Sequence, residues 1–166
     1  SRLLKPDGKL LLAVDNRLGL KYFCGAKESH GGKAFEGIAH YPWGTRGYSF
    51  SQKELKEILE HAGYTRTEFY YPLPDYKLPQ LIYSDHFLPE QNLKERLIPY
   101  YPDHNSLVAE ELELYQDVVE NGVFPFFANS FFVECKVVQG EGKETSDKER
   151  VIYATVSTDR GREQSY

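Results

Sequence analysis

Phe50-Ser51-Gln52-Lys53-Glu54-Leu55-Lys56-Glu57-Ile58-Leu59-Glu60-His61-Ala62-Gly63 runs directly into Tyr64-Thr65-Arg66-Thr67-Glu68-Phe69-Tyr70-Tyr71. The first part has the marks of a capped helix. Ser51 is placed to accept the N–H of Glu54, Glu54 to reach back to Ser51, and Phe50 to pack against Leu55 as a hydrophobic staple. Leu55, Ile58, Leu59 and Ala62 recur at helical spacing, and Gly63 can supply the left-handed residue that ends a helix. This predicts a helix over about 51–62. The β-branched and aromatic residues of 64–71 predict a strand, stopped by Pro72 and Pro74.

Working upstream, Leu3-Leu4-Lys5-Pro6-Asp7-Gly8 reads as a helix end and a turn, and Lys9-Leu10-Leu11-Leu12-Ala13-Val14-Asp15 as a buried strand over 9–15. A strand apolar on both faces is typical of parallel sheets covered by helices on each side. Downstream, 72–102 is a long excursion rich in proline and tyrosine, of the kind that forms lids or binding loops. A helix is expected over about 106–121, with Glu110, Glu111 and Glu113 on its solvated face. Ser130 to Val138 reads as another apolar strand. Residues 139–150 are polar and without periodicity and read as a linker. Val151 to Val156 reads as the first strand of a following, truncated region over 151–166. The body of the domain is thus expected at 1–138, its fold class α/β.

Composition narrows the classes. The chain has 166 residues, 40% apolar and 27% charged, with 13 Gly and 9 Pro, which is ordinary for a globular protein. The run Leu10–Val14 is far too short for a membrane span, and the N-terminus has no signal-peptide pattern, so the sequence reads as cytoplasmic. Net charge is -5, and the 20 Lys and Arg are scattered, which argues against a nucleic-acid binder. Cys24 and Cys135 lie far apart and outside any C-x-x-C pair, and the 5 His have no H-x-x-x-H spacing; no metal site is expected. Aromatic residues are in excess, with 13 Tyr and 10 Phe.

Two motifs carry a family resemblance. Leu3-Leu4-Lys5-Pro6-Asp7-Gly8-Lys9-Leu10-Leu11-Leu12 resembles the lead into the fifth strand of class I S-adenosylmethionine-dependent methyltransferases, with Asp7 in place of the usual Gly. Phe50-Ser51-x-x-Glu54-Leu55-x-x-Ile58-Leu59-x-x-Ala62-Gly63-Tyr64 resembles the helix that follows. Asp15-Asn16-Arg17-Leu18-Gly19-Leu20-Lys21-Tyr22 and Tyr71-Pro72-x-Pro74-Asp75-Tyr76-Lys77-Leu78-Pro79 are similar to a bacterial subgroup found beside glycosyltransferases of surface-polysaccharide synthesis. The resemblance implies the C-terminal half of such a domain. Its partial Rossmann-like mixed sheet would have strands 9–15 and 64–71 parallel and strand 130–138 antiparallel between them.

It also implies a cofactor, S-adenosyl-L-methionine, bound mainly by residues outside this chain: the only G-x-G, Gly140-Glu141-Gly142, lies in the polar linker and is not a strand-turn-helix element. The fragment alone is expected to be inactive.

Open α/β sheets bind ligands beyond the C-terminal ends of their strands. That places Asp15, Asn16 and Arg17, together with Asp75 and Tyr76, on one side as candidates for binding a small polar acceptor such as a sugar. Tyr41 and Trp43 join them from the first excursion, and His30 and His40 are the candidates for a base. Each also has a plainer reading: a strand-end polar residue caps a turn, and a loop histidine is solvated. Asp85-His86 has no nucleophile motif beside it. The rival to an enzyme is a binding or assembly module that pairs through exposed sheet edges, with strand 9–15 driving a homodimer.

Overall fold

The computed structural model describes residues 4–5, 8–90, 93, 107–137 and 151–156. The expected linker 139–150, the lead residues 1–3 and 6–7, and the tail beyond 156 lie outside them. Along the chain run β1 (Lys9–Asp15), α1 (Leu20–Phe23), α2 (Gln52–His61), β2 (Arg66–Leu73), β3 (Leu81–Ser84), α3 (Glu111–Glu120), α4 (Phe124–Phe127), β4 (Ser130–Lys136) and β5 (Ala154–Thr155). The strands form one five-stranded sheet in the order β1-β4-β2-β3-β5.

Every strand pairing in this sheet is antiparallel. The expected order, strand 130–138 between 9–15 and 64–71, is present, but with every pairing antiparallel the Rossmann-like mixed sheet is not shown. β1 and β2 do run in the same direction, because β4 lies between them and is antiparallel to each, pairing Leu12 with Val133 and Phe69 with Val133. Neither strand has a parallel neighbour among the described residues.

α2 forms as its sequence dictates. The Ser51 side chain accepts from the Glu54 N–H, the Glu54 carboxylate accepts from the Ser51 N–H, and Gly63 ends the helix at φ +90. Leu55 and Leu59 face the core; Ile58 stays half in solvent. The chain then turns tightly, the Tyr64 N–H donating to the Leu59 carbonyl, so β2 begins at Arg66 and not at Tyr64. It also runs two residues past Tyr71, since β3 pairs with it along Tyr70–Leu73 and the strand stops only at the cis Leu73–Pro74 bond.

α3 starts at Glu111, later than the expected 106. The Val108 N–H donates to the Cys24 carbonyl at 2.8 Å, which holds 107–110 out of helical conformation against α1. Among the described residues, α1 to α4 all contribute to one core against the sheet, Leu20 from α1 and Phe124 from α4 included. Leu55, Leu59, Tyr115 and Val118 join Phe69, Tyr71, Tyr83, Phe131, Val133 and Cys135 in a single core, with Tyr71 edge-on to both Phe124 and Phe131.

The opposite face is uncovered among the described residues. Leu11, Ala13, Tyr70, Ile82, Phe132 and Val151 line an open groove of about 460 Å³ there, and Leu11 is 71% exposed. The apolar run of β1 thus serves two faces, as read, but only one of them meets helices. β5, from the 151–156 segment, adds to the same sheet beside β3, and Tyr153 packs on Tyr83 and Phe87.

Candidate functional site

Alternation along a strand sends Leu10, Leu12 and Val14 towards the helices and leaves Asp15 at the end of β1 on the other side. β1 and β2 run the same way, so the turn after β2 reaches the same end of the sheet. The short α1 lies between them, and its Lys21 fills the junction. The Lys21 ammonium donates to Asp15 Oδ1 at 2.8 Å and to Asp75 Oδ2 at 2.6 Å, all three side chains being buried. Asp15 Oδ2 accepts from the Ser29 hydroxyl at 2.9 Å and lies 3.7 Å from the Lys77 ammonium. Asp75 Oδ1 accepts from the Lys77 N–H.

Charge and burial compete here. Burial alone would raise the Asp15 carboxyl, but Lys21, aided by Lys77 and Ser29, holds it below its usual range. Burial likewise works against the charge on Lys21, yet Tyr22, Asp15 and Asp75 outweigh it and the ammonium is held charged. The cluster is a buried cation between two carboxylates, with a second cation at its mouth.

Asn129, just before β4, braces this junction. Its Oδ1 accepts from the Lys21 N–H, and its Nδ2 donates to the Pro74 carbonyl and to Glu111 Oε1. Glu111 is only 3% exposed and also accepts from the Tyr115 hydroxyl, so it is not on a solvated face as expected; Glu110 and Glu113 are exposed. Without Glu111, the Asn129 amide would lose one of its two acceptors in a dry site.

The sequence candidates divide into two groups. Asp15, Asp75 and Tyr76 are brought together, the Tyr76 N–H donating to the Ser130 hydroxyl at 2.9 Å. Asn16 and Arg17 are buried and engaged within the chain. Asn16 Nδ2 donates to the carbonyls of Phe126 and Ala128, and its Oδ1 accepts from the Leu18 N–H. Arg17 makes a two-pronged ion pair with Glu54, at 2.8 and 2.9 Å, and donates to the Gly37 carbonyl.

In the first excursion Tyr41 is buried, its hydroxyl donating to Glu28 Oε1 and accepting from the Ser49 N–H. Trp43 is 63% exposed with the Lys33 ammonium 4.4 Å above its ring. His30 and His40 are both exposed. His30 rests on Gly47. Of the pair at 85–86, Asp85 accepts from the Tyr71 hydroxyl, and His86 Nε2 lies 3.2 Å from Glu68.

Lys21, Asn129 and Glu28 were missed from the sequence. Lys21 sits in the apolar context Leu20-Lys21-Tyr22, where a lysine carries no local sign of burial. Compared with models of protein families, with curated proteins and with solved structures, the chain returns no match.

Proposed function

We propose that the chain is the C-terminal half of an S-adenosylmethionine-dependent methyltransferase domain, contributing the acceptor side of the site and the far part of the sheet. The observation that carries this reading is β4, antiparallel between two like-directed strands, with Asp15 and Asp75 meeting at the ends from which both excursions leave. That is the arrangement the motif resemblance implies for strands 9–15, 64–71 and 130–138.

Under this reading Ser29, Tyr76 and Lys77 form the rim, offering a hydroxyl, a phenol and an ammonium to a small polar acceptor such as a sugar. Asp15 and Asp75, fixed by Lys21, hold the rim in place, and fixed polar groups around an acceptor are what a transfer enzyme chiefly supplies. The chain's own residues do not fit the cofactor, since no Gly-rich strand-turn-helix is present in it. The cofactor would then be held by residues outside the chain.

Calorimetric titration of S-adenosylhomocysteine tests this. Binding is expected for the longer polypeptide that the reading requires and not for the 166-residue chain alone. Binding by neither would overturn it.

A second reading, an assembly module, is favoured by one observation. β1 has β4 on one side and no strand on the other among the described residues, with Leu11 exposed upon it. An edge of this kind can pair with a second copy of the chain.

A further inference from the structure

Between α2, β2 and the turn after β3 lies an open cavity of about 320 Å³, lined by Gln52, Lys53, Lys56, Thr67, Phe69 and Asp85. Small-molecule sites run from about 300 to 1,000 Å³, so the space suffices for a small ligand. Its walls follow from helix and strand periodicity. Gln52 and Lys56 stand one turn apart on α2, beside the stripe of Leu55 and Leu59 that enters the core. Thr67 and Phe69 lie on one face of β2, with Tyr71 next along it.

Tyr71 fixes the far wall. It is wholly buried, and its hydroxyl accepts from Gln52 Nε2 at 2.9 Å and donates to Asp85 Oδ1. Burial first, and then the Asp85 carboxylate, hold the phenol protonated far above its ordinary range. The Asp85 N–H donates in turn to the Phe69 carbonyl. Asp85 is thus positioned through one oxygen and its backbone, while its other carboxylate oxygen has no hydrogen bond among the described residues.

The charges around the cavity are not paired across it. Lys53 faces Glu57 on its own helix at 3.9 Å. Lys56 makes no ion pair among the described residues, neither with Glu60 one turn on nor with Asp85 across the cavity. Asp85 has no cation among them either, and its neighbour His86 turns to Glu68. A cation on one wall and an anion on the other therefore face the same open space, too far apart to meet.

We propose that this cavity takes a small zwitterion, an ω-amino acid, with its acid group on Lys56 and its ammonium on Asp85. The short methylene chain between them would cross the Phe69 floor. Lysines alone would select for any anion, whereas a placed carboxylate opposite them calls for an N–H donor carrying positive charge. The Thr67 hydroxyl, which has no hydrogen bond among the described residues, adds a further polar group beside the ligand. The cavity shares no residue with the Asp15–Lys21–Asp75 junction, and the inference does not rest on methyl transfer.

Titration of the isotope-labelled 166-residue chain with γ-aminobutyrate, against butyrate and butylammonium at equal ionic strength, tests it by amide chemical shifts. The shifts of Lys56, Thr67 and Asp85 are expected to saturate with γ-aminobutyrate. Butyrate and butylammonium should each bind about tenfold more weakly or worse, since each forfeits one charge-assisted contact. Lys56→Gln and Asp85→Asn should each weaken γ-aminobutyrate by a similar factor. Both side chains are exposed, and the amide replacing Asp85 can still accept from Tyr71, so the rest of the spectrum should be retained. Butyrate binding as tightly as the zwitterion would overturn the proposal in favour of a plain anion site, and butylammonium doing so in favour of a plain cation site. Shifts that never saturate, or an affinity that both variants retain, would overturn it as well. If Asp85→Asn fails to fold, the comparison of the three ligands decides by itself.

Discussion

Lys21 and Asp75, 54 residues apart in the chain, are joined by an ion pair of 2.6 Å. Through it α1 is tied to the turn after β2, and through the 2.8 Å contact to Asp15 both are tied to the end of β1. One buried ammonium thus fixes three segments at the end of the sheet where both excursions begin.

Removing that ammonium should be severe. Lys21→Met keeps the length of the side chain but leaves Asp15 and Asp75 buried and facing each other, for an expected loss of about 3–5 kcal/mol. The triple change Asp15→Asn/Lys21→Met/Asp75→Asn removes the three buried charges at once, leaving Lys77 at the solvent side, and should regain part of it. Urea denaturation of the three proteins measures both values. A loss under about 1 kcal/mol for Lys21→Met would mean that water solvates the junction.

Acid should weaken the fold in a defined window. Arg17, through its hydrogen bonds and with Ser51 assisting against burial, holds the Glu54 carboxyl at about 2, down from 4.5. Asp15 is shifted in the same direction. For a lowered carboxyl the unfolded chain takes up the proton first. The stabilisation is therefore complete above the unfolded value near 4.5 and is lost as pH falls through about 2. The difference in melting temperature between wild type and Glu54→Gln should shrink steadily from pH 5 to pH 2. A difference that stays constant would show that the Arg17–Glu54 pair adds nothing.

The two thiols should be inert in the folded chain. Burial pushes Cys24 and Cys135 up to about 11, with the neighbouring Glu111 and Glu134 carboxylates adding to the shift. Both residues are wholly inaccessible, and the thiolate is the reactive form. Reaction with a chromogenic disulfide reagent at pH 8 should wait on unfolding, and become rapid for both thiols in denaturant. Fast labelling of either without denaturant would contradict the packing around it.

Leu11→Lys separates the two functional readings. The side chain is exposed, so the monomer's stability should change by no more than about 0.5 kcal/mol. If β1 pairs two copies, sedimentation should show wild type as a dimer and the variant as a monomer. Two monomers would leave the assembly reading without support.

Local chemistry was the legible part. The capped helix could be read residue by residue because Ser51 and Glu54 cap each other three positions apart and Gly63 ends the helix on the spot. The strand character of 9–15 and of 130–136 was legible for a similar reason, their apolar runs needing only a sheet to join. Element boundaries shifted where a distant partner intervened. Val108 bound to the Cys24 carbonyl delayed α3, and pairing with β3 carried β2 past Pro72.

The site was legible only in part. Asp15, Asp75 and Tyr76 could be named because strand ends gather polar residues, whereas Lys21, Asn129 and Glu111 carry no local mark of the burial they undergo. What the amino-acid sequence determined by itself was the strand character of 9–15, 64–71 and 130–136, the capped helix after Ser51, and that helices and strands would be mixed in the fold. The tertiary structure decided that β4 would lie between β1 and β2, that one sheet face would carry no helix among the described residues, and that Lys21 would meet two aspartates. Those outcomes depend on contacts between residues far apart in the chain, whose energies exist only once the backbone has brought them together.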